Sequence, residues 1–111
     1  MIASLIRVLI AEDHPRFRSF LTSALQGRQD LQVVCEVDDG LEAVRKAQEL
    51  QPELILLDIG LPTLNGIEAA KQIRSLSSHS KILFVSQESS AEVVQAALQT
   101  GVQGYVLKID T

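Results

Sequence analysis

The chain holds one cysteine, no tryptophan, one tyrosine and three phenylalanines in 111 residues. A single thiol excludes an internal disulfide and a cysteine-based zinc site. Cys35 lies inside Leu31-Gln32-Val33-Val34-Cys35-Glu36-Val37, where a free thiol packs as a small apolar group. With aromatics at 4%, the core has to be aliphatic, built from Leu, Ile, Val and Ala. Basic clusters are also missing. Ten Lys and Arg stand against fourteen Asp and Glu, for a formal net charge of −4. That balance argues against nucleic-acid binding by this chain alone. No apolar run approaches the roughly 20 residues of a membrane span. Arg7 interrupts the first apolar stretch and Glu12-Asp13 follow it, so no secretory leader pattern is visible. The expectation from length and from these absences is one cytoplasmic domain.

What is present is a regular alternation. Apolar stretches at 5–11, 31–37, 53–58, 81–86 and 104–107 read as strands. Between them Phe17, Phe20, Leu21, Ala24 and Leu25 recur at helical spacing. So do Ala43, Val44, Ala47 and Leu50, then Ile67, Ala70, Ile73 and Leu76, then Val94, Ala97 and Leu98. Pro15 suits the first position of helix one and Gly27 its C-terminal cap. Helix two has to stop before Pro52. Ser89 or Ser90 caps helix four, which is expected to bury Val94, Ala97 and Leu98 and to end at Gly101. Strands alternating with helices predict a parallel sheet covered on both faces, an α/β doubly wound fold. In the flavodoxin-like order 2-1-3-4-5, strand one lies beside strand three. No fifth helix is expected in this chain, because only Lys108-Ile109-Asp110-Thr111 follow the last strand. The face it would cover is expected to be an apolar patch that a partner or further chain protects.

The chemistry gathers at the strand ends. Leu54-Ile55-Leu56-Leu57 delivers Asp58, and Gly60 and Pro62 then stop the run. A carboxylate at the edge of a core is costly without a partner. Strand one ends in Glu12-Asp13, strand four in Ser86 and strand five in Lys108. Converging carboxylates repel, and a hard divalent cation such as Mg2+ removes that penalty. Asp13 and Asp58 are the expected direct ligands, with Glu12 acting through water and the Gly60 carbonyl adding an oxygen. Mg2+ and Lys108 together suit a phosphoryl group. Asp58 is then the candidate nucleophile, since aspartyl phosphates are known covalent intermediates, and Ser86 would donate to a phosphoryl oxygen. His14 reads as a loop or first-turn residue, not a ligand, because no second His is placed to join it. His79 lies in a polar loop and is assigned no role.

Three segments carry a resemblance to a known family. Ala11-Glu12-Asp13-His14-Pro15, the stretch from Asp58-Ile59-Gly60-Leu61-Pro62 through Asn65-Gly66 to Ala70, and Gly104-Tyr105-Val106-Leu107-Lys108 resemble the receiver domain of bacterial two-component response regulators, in its NarL/LuxR-type form. The resemblance spans nearly the whole chain. It implies a phosphorylation-controlled switch, not an enzyme in the ordinary sense, that assists its own phosphorylation and dephosphorylation. Asp58 would take a phosphoryl group from a sensor histidine kinase. Glu12, Asp13, Asp58 and the Gly60 carbonyl would hold Mg2+. Ser86 and Lys108 would bind phosphoryl oxygens, and Tyr105 would be the aromatic that turns inward. Helix four and strand five would shift, and a helix-turn-helix domain outside this chain would act on DNA. Residues 1–111 would be the receiver alone, cut before its last helix, and a homodimer or other self-association is expected. Two positions depart from the family pattern. Ile109 stands where a Pro usually follows the Lys, and Gln87 stands where a small residue usually follows the switch hydroxyl.

Three rival readings share these parts. A magnesium-dependent aspartyl phosphatase wants a second Asp two residues after the nucleophile, where this chain has Gly60. A flavin binder needs a phosphate-cradling loop after strand one, where Glu12-Asp13 would repel phosphate. A degenerate receiver that serves only as a protein-binding module is the remaining alternative.

Overall fold

A computed structural model of the chain describes residues 5–108. Along it β1 (Ile6–Ala11), α1 (Pro15–Gln26), β2 (Leu31–Val37), α2 (Gly40–Leu50), β3 (Leu54–Leu57), α3 (Gly66–Leu76), β4 (Lys81–Ser86), α4 (Ala91–Leu98) and β5 (Gly104–Leu107) follow one another. All strand pairs are parallel, and the sheet order is β2-β1-β3-β4-β5, as the alternation predicts. Among the described residues there is no fifth helix.

One rung of the sheet fixes the rest. Val37, Ala11, Leu57, Phe84 and Tyr105 are aligned across all five strands. These five residues pack in or against the larger core cluster, beneath α2, α3 and α4. Strand side chains alternate faces, so the residues one step further, Glu12 and Asp58, leave that core. An irregularity on β2 between the partners of Val8 and Leu9 brings Val37 into this rung.

The opposite face is thinner. Val8, Ile10, Leu56 and Val85 form its buried centre, with Phe17, Leu21 and Leu25 of α1 packed over them. No residue of α1 is fully buried. Phe20 is 61% exposed, and Val106 of β5 is half exposed, so apolar side chains of α1 and β5 stand open to solvent among the described residues.

Helix starts follow local chemistry. The side chains of Asp39, Asn65 and Ser90 accept hydrogen bonds from the backbone N–H of Glu42, Glu68 and Val93, at 2.8, 3.0 and 3.2 Å. Ser90, not Ser89, is thus the cap of α4, and it sets the phase of that helix. Val93 and Ala97, one turn apart, face the core. Leu98 is 46% exposed, which corrects the expected stripe of Val94, Ala97 and Leu98. The helix also ends at Leu98, three residues before Gly101, whose φ of +85° closes the following turn. Gly27 caps α1 in a right-handed conformation, φ −72°, so its special freedom is not used there.

The connection from β3 to α3 is held by close backbone approach. A Cβ on Gly66 would lie 2.1 Å from the Asp58 carbonyl oxygen, and one on Gly40 would lie 1.7 Å from the Leu64 carbonyl oxygen. Gly66 N–H donates to the Ile59 carbonyl and Gly40 N–H to the Pro62 carbonyl. Between them Thr63 takes a left-handed φ of +70°. At the other end of the sheet Arg7 forks onto the Glu53 carboxylate, with contacts of 3.2 and 3.0 Å, and donates to the Leu50 carbonyl that ends α2.

Candidate functional site

Each chemically active side chain sits where a strand gives out, and the ladder still holds its backbone. Glu12 N–H donates to the Val37 carbonyl at 3.0 Å and Asp58 N–H to the Ala11 carbonyl at 3.1 Å. Lys108 N–H donates to the Ser86 carbonyl at 2.8 Å. Asp58 lies one residue past β3, which spans Leu54–Leu57 and is two residues shorter than 53–58. The carboxylates are thus fixed by sheet hydrogen bonds, not by a flexible loop.

Glu12 is 1% exposed and Asp58 5% exposed. The Lys108 ammonium lies 2.6 Å from Glu12 Oε1 and 3.3 Å from Asp58 Oδ2. Its side chain is 6% exposed and passes 4.4 Å above the Phe17 ring centre, a cation–π contact that helps hold it. The 2.6 Å contact makes the Lys108 ammonium the partner of the buried Glu12 Oε1. Glu12 Oε2 instead accepts from the backbone N–H of His14 at 3.0 Å, and the His14 ring Nδ1 lies 3.1 Å away. The same Nδ1 is 3.3 Å from Asp13 Oδ1. Glu12, Asp13, His14 and Asp58 each offer a ligand atom within 4.8 Å of the others.

This donor set fits a hard divalent cation. Three carboxylates outnumber the single Lys108 ammonium. Asp13 Oδ1 is buried without a hydrogen-bond partner, the kind of oxygen a bound cation satisfies.

A pocket of about 90 Å³ opens over Asp58. Gly60, Ser86, Gln87, Glu88, His14 and Lys108 line it. Ser86 is buried, and its Oγ accepts the Glu88 N–H at 3.2 Å. Tyr105 packs its ring against Phe84, with centroids 6.0 Å apart, and its hydroxyl donates to the Glu88 carbonyl at 2.6 Å. Partial burial pushes the Tyr105 phenol above its ordinary range, so it stays a neutral donor.

All seven residues singled out in the sequence therefore lie at or beside one spot. His14, set aside there as a loop residue, belongs to the same cluster. A lone His gives no spacing pattern, and the adjacent Pro15 at the start of α1 was the only signal that its ring would be anchored. His79 lies elsewhere, with Nε2 3.1 Å from the Gln51 carbonyl oxygen.

The parallel five-stranded sheet with acids at its carboxyl edge defines a class, and comparison supplies the family. The chain matches the response regulator receiver domain over residues 8–110, and it belongs to that family. It is 38% identical over 104 residues to the transcriptional regulatory protein LiaR of Bacillus subtilis, covering 94% of this chain and 49% of that protein. It is 38% identical over 103 residues to the response regulator protein VraR of Staphylococcus aureus, covering 93% and 49%. The solved signal receiver domain of the response regulator NarL from Mycobacterium tuberculosis superposes with a TM-score of 0.92 at 33% identity, covering 98% of this chain and 88% of that one. The relatives are NarL/LuxR-type regulators. The chain spans about half the length of the curated relatives it matches.

Proposed function

We propose that this domain is a cytoplasmic, phosphorylation-controlled switch in which Asp58 accepts a phosphoryl group from the phosphohistidine of a sensor histidine kinase. The observation that carries this is the placement of the Asp58 carboxylate, buried at the end of β3 with Lys108 at 3.3 Å and two further acids beside it. An Asp58 oxygen attacks phosphorus and forms the P–O bond. The P–N bond of the donor breaks, its electron pair goes to the imidazole nitrogen, and that nitrogen takes up a proton. Glu12, Asp13, Asp58 and the Gly60 carbonyl would hold Mg2+, which would supply charge neutralisation for the incoming group.

Lys108 already touches the acceptor carboxylate and donates to a phosphoryl oxygen with little movement. Ser86 has to leave Glu88 N–H and turn its hydroxyl toward Asp58. Tyr105 can then give up the Glu88 carbonyl and swing inward, so α4 and β5 repack as one unit. Two packings biased by a few contacts constitute a population shift. In the whole protein this shift regulates transcription through a DNA-binding domain outside this chain. Self-association through exposed apolar side chains such as Phe20 and Val106 fits the same reading, and sedimentation against concentration checks it.

The decisive experiment is intact mass after incubation with acetyl phosphate. We expect one phosphoryl mass that needs Mg2+ and is absent in Asp58→Ala. A gain retained in that variant, or no gain in the wild type, would overturn the assignment and leave the degenerate receiver.

A further inference from the structure

The helices α3 and α4 cover the same face of the sheet and leave a groove between them. We propose that this groove is a docking site for a helix of another protein, apolar on one face and acidic at its C-terminal end. The docking site stands apart from the reading of Asp58; only its link to phosphorylation rests on that reading.

Two helix faces build the groove. Ile67, Lys71 and Arg74 recur at helical spacing along α3, and Val93, Ala96 and Thr100 line the opposite wall. Two hollows of about 540 and 480 Å³ share Ile67, Lys71 and Ala96, so they form one trough. Ile67 and Val93 pack against the core and give the trough an apolar floor. α3 has 11 residues, about 16 Å of helix, so the trough takes about three turns of a partner.

Charge selects the occupant. One end of the trough carries Glu68 and Glu88, the other carries Arg74, and Lys71 lies between them. Lys71 pairs with Glu68 at 3.1 Å. Among the described residues no acid lies within ion-pair distance of Arg74. Its guanidinium lies over Gly101 instead, where a Cβ would meet Nη2, Cζ and Nε at 3.1, 3.3 and 3.4 Å. A docked helix would bring its positive N-terminal end to Glu68 and Glu88 and its negative C-terminal end to Arg74. Acids in its last turn would add a carboxylate for the Arg74 fork. A second copy does not offer this face from α1, which carries the exposed Phe20 but no acid.

The trough also touches the switch. Glu88, at its mouth, is tethered by Ser86 Oγ at its N–H and by the Tyr105 hydroxyl at its carbonyl. Only Ala97 of α4 is fully buried, so little packing opposes movement of that helix. When phosphorylation of Asp58 releases both tethers, the acidic end of the trough is displaced. The partner helix therefore prefers the unphosphorylated packing.

The test uses the full chain and a fluorescein-labelled, lactam-stapled peptide of three turns, with leucines along one face and glutamates in its last turn. Fluorescence anisotropy should show saturable binding. A peptide with lysines in place of the glutamates should bind at least tenfold more weakly. Arg74→Glu should reverse that preference, and Ala96→Asp should weaken both peptides at least tenfold. Both positions are exposed, so both variants should fold. No binding, equal binding of the two peptides, or no reversal in Arg74→Glu overturns the docking site. Self-association of the chain that Arg74→Glu abolishes would make a second copy the occupant and overturns it too. After labelling with acetyl phosphate, the acidic peptide should bind at least fivefold more weakly. Unchanged affinity at full labelling overturns the link to phosphorylation and leaves the docking site standing. Absence of labelling overturns that link together with the Asp58 reading, and binding to the unlabelled chain still decides the docking site.

Discussion

At the scale of single residues, Lys108 does two jobs that oppose each other. Its ammonium compensates buried Glu12 and Asp58, and it occupies space that a cation would share. Removing one partner of a buried ion pair leaves an uncompensated charge, at a cost of about 3 kcal/mol. Lys108→Ala should therefore lower stability by that order in chelator, by denaturant titration, and Mg2+ should recover much of the loss. A deficit indifferent to Mg2+ would show that Lys108 acts only through its packing on Phe17. Glu12, Asp13, Asp58 and Lys108 were legible in the sequence because each ends an apolar run, and an unpaired charge there is too costly to be incidental. Ser86 and Gly60 were legible only through the strand order. His14 was not legible, because its meaning depends on a 3.1 Å approach that no spacing rule encodes.

At the scale of elements, the link from β3 to α3 is the most constrained piece of chain. Gly66→Ala would drive a Cβ into the Asp58 carbonyl at 2.1 Å. Overpacking against backbone of this kind costs about 2 kcal/mol, and the displaced atom belongs to Asp58 itself. We expect a lower denaturation midpoint together with slower labelling by acetyl phosphate; full labelling speed would show that the loop yields without moving Asp58. Thr63 offers the opposite sign. A β-branched residue at φ +70° is strained, and Asn tolerates that region. Thr63→Asn should stabilise the domain by about 0.5–1 kcal/mol in the same titration. Strand and helix existence was plain from periodicity, but the phase of α4 was not. Val93, Val94, Ala96, Ala97 and Leu98 are apolar nearly all round the helix, so only the Ser90 cap and the sheet decide which face turns in.

At the scale of the whole molecule, the two ends of the sheet divide the labour. The carboxyl edge carries the acids, and the opposite edge carries the Arg7–Glu53 fork that ties β1 to β3 and to the end of α2. The Arg7 guanidinium and backbone N–H hold the Glu53 carboxyl below its ordinary value of 4.5. A depressed carboxylate stabilises the fold fully above its unfolded pKa, and that contribution disappears as pH falls through the folded value. Glu53 is partly exposed, so the effect is modest. Glu53→Gln should be less stable than wild type at pH 7, and the two should converge in acid as pH falls from 4.5 through the lower folded value. Thermal midpoints across pH check this, and a gap that persists in acid would assign the loss to packing.

The rung shared by Val37, Ala11, Leu57, Phe84 and Tyr105 has a practical consequence for anyone preparing this protein. Slipping β3 by one residue against β1 would turn Asp58 to the wrong face while leaving helix and strand content almost unchanged. Far-ultraviolet dichroism is blind to such a slip, whereas uptake of a cation at the proposed acidic site would report it, so that ions taken up per chain would serve as a head-count of the molecules whose strands are in step.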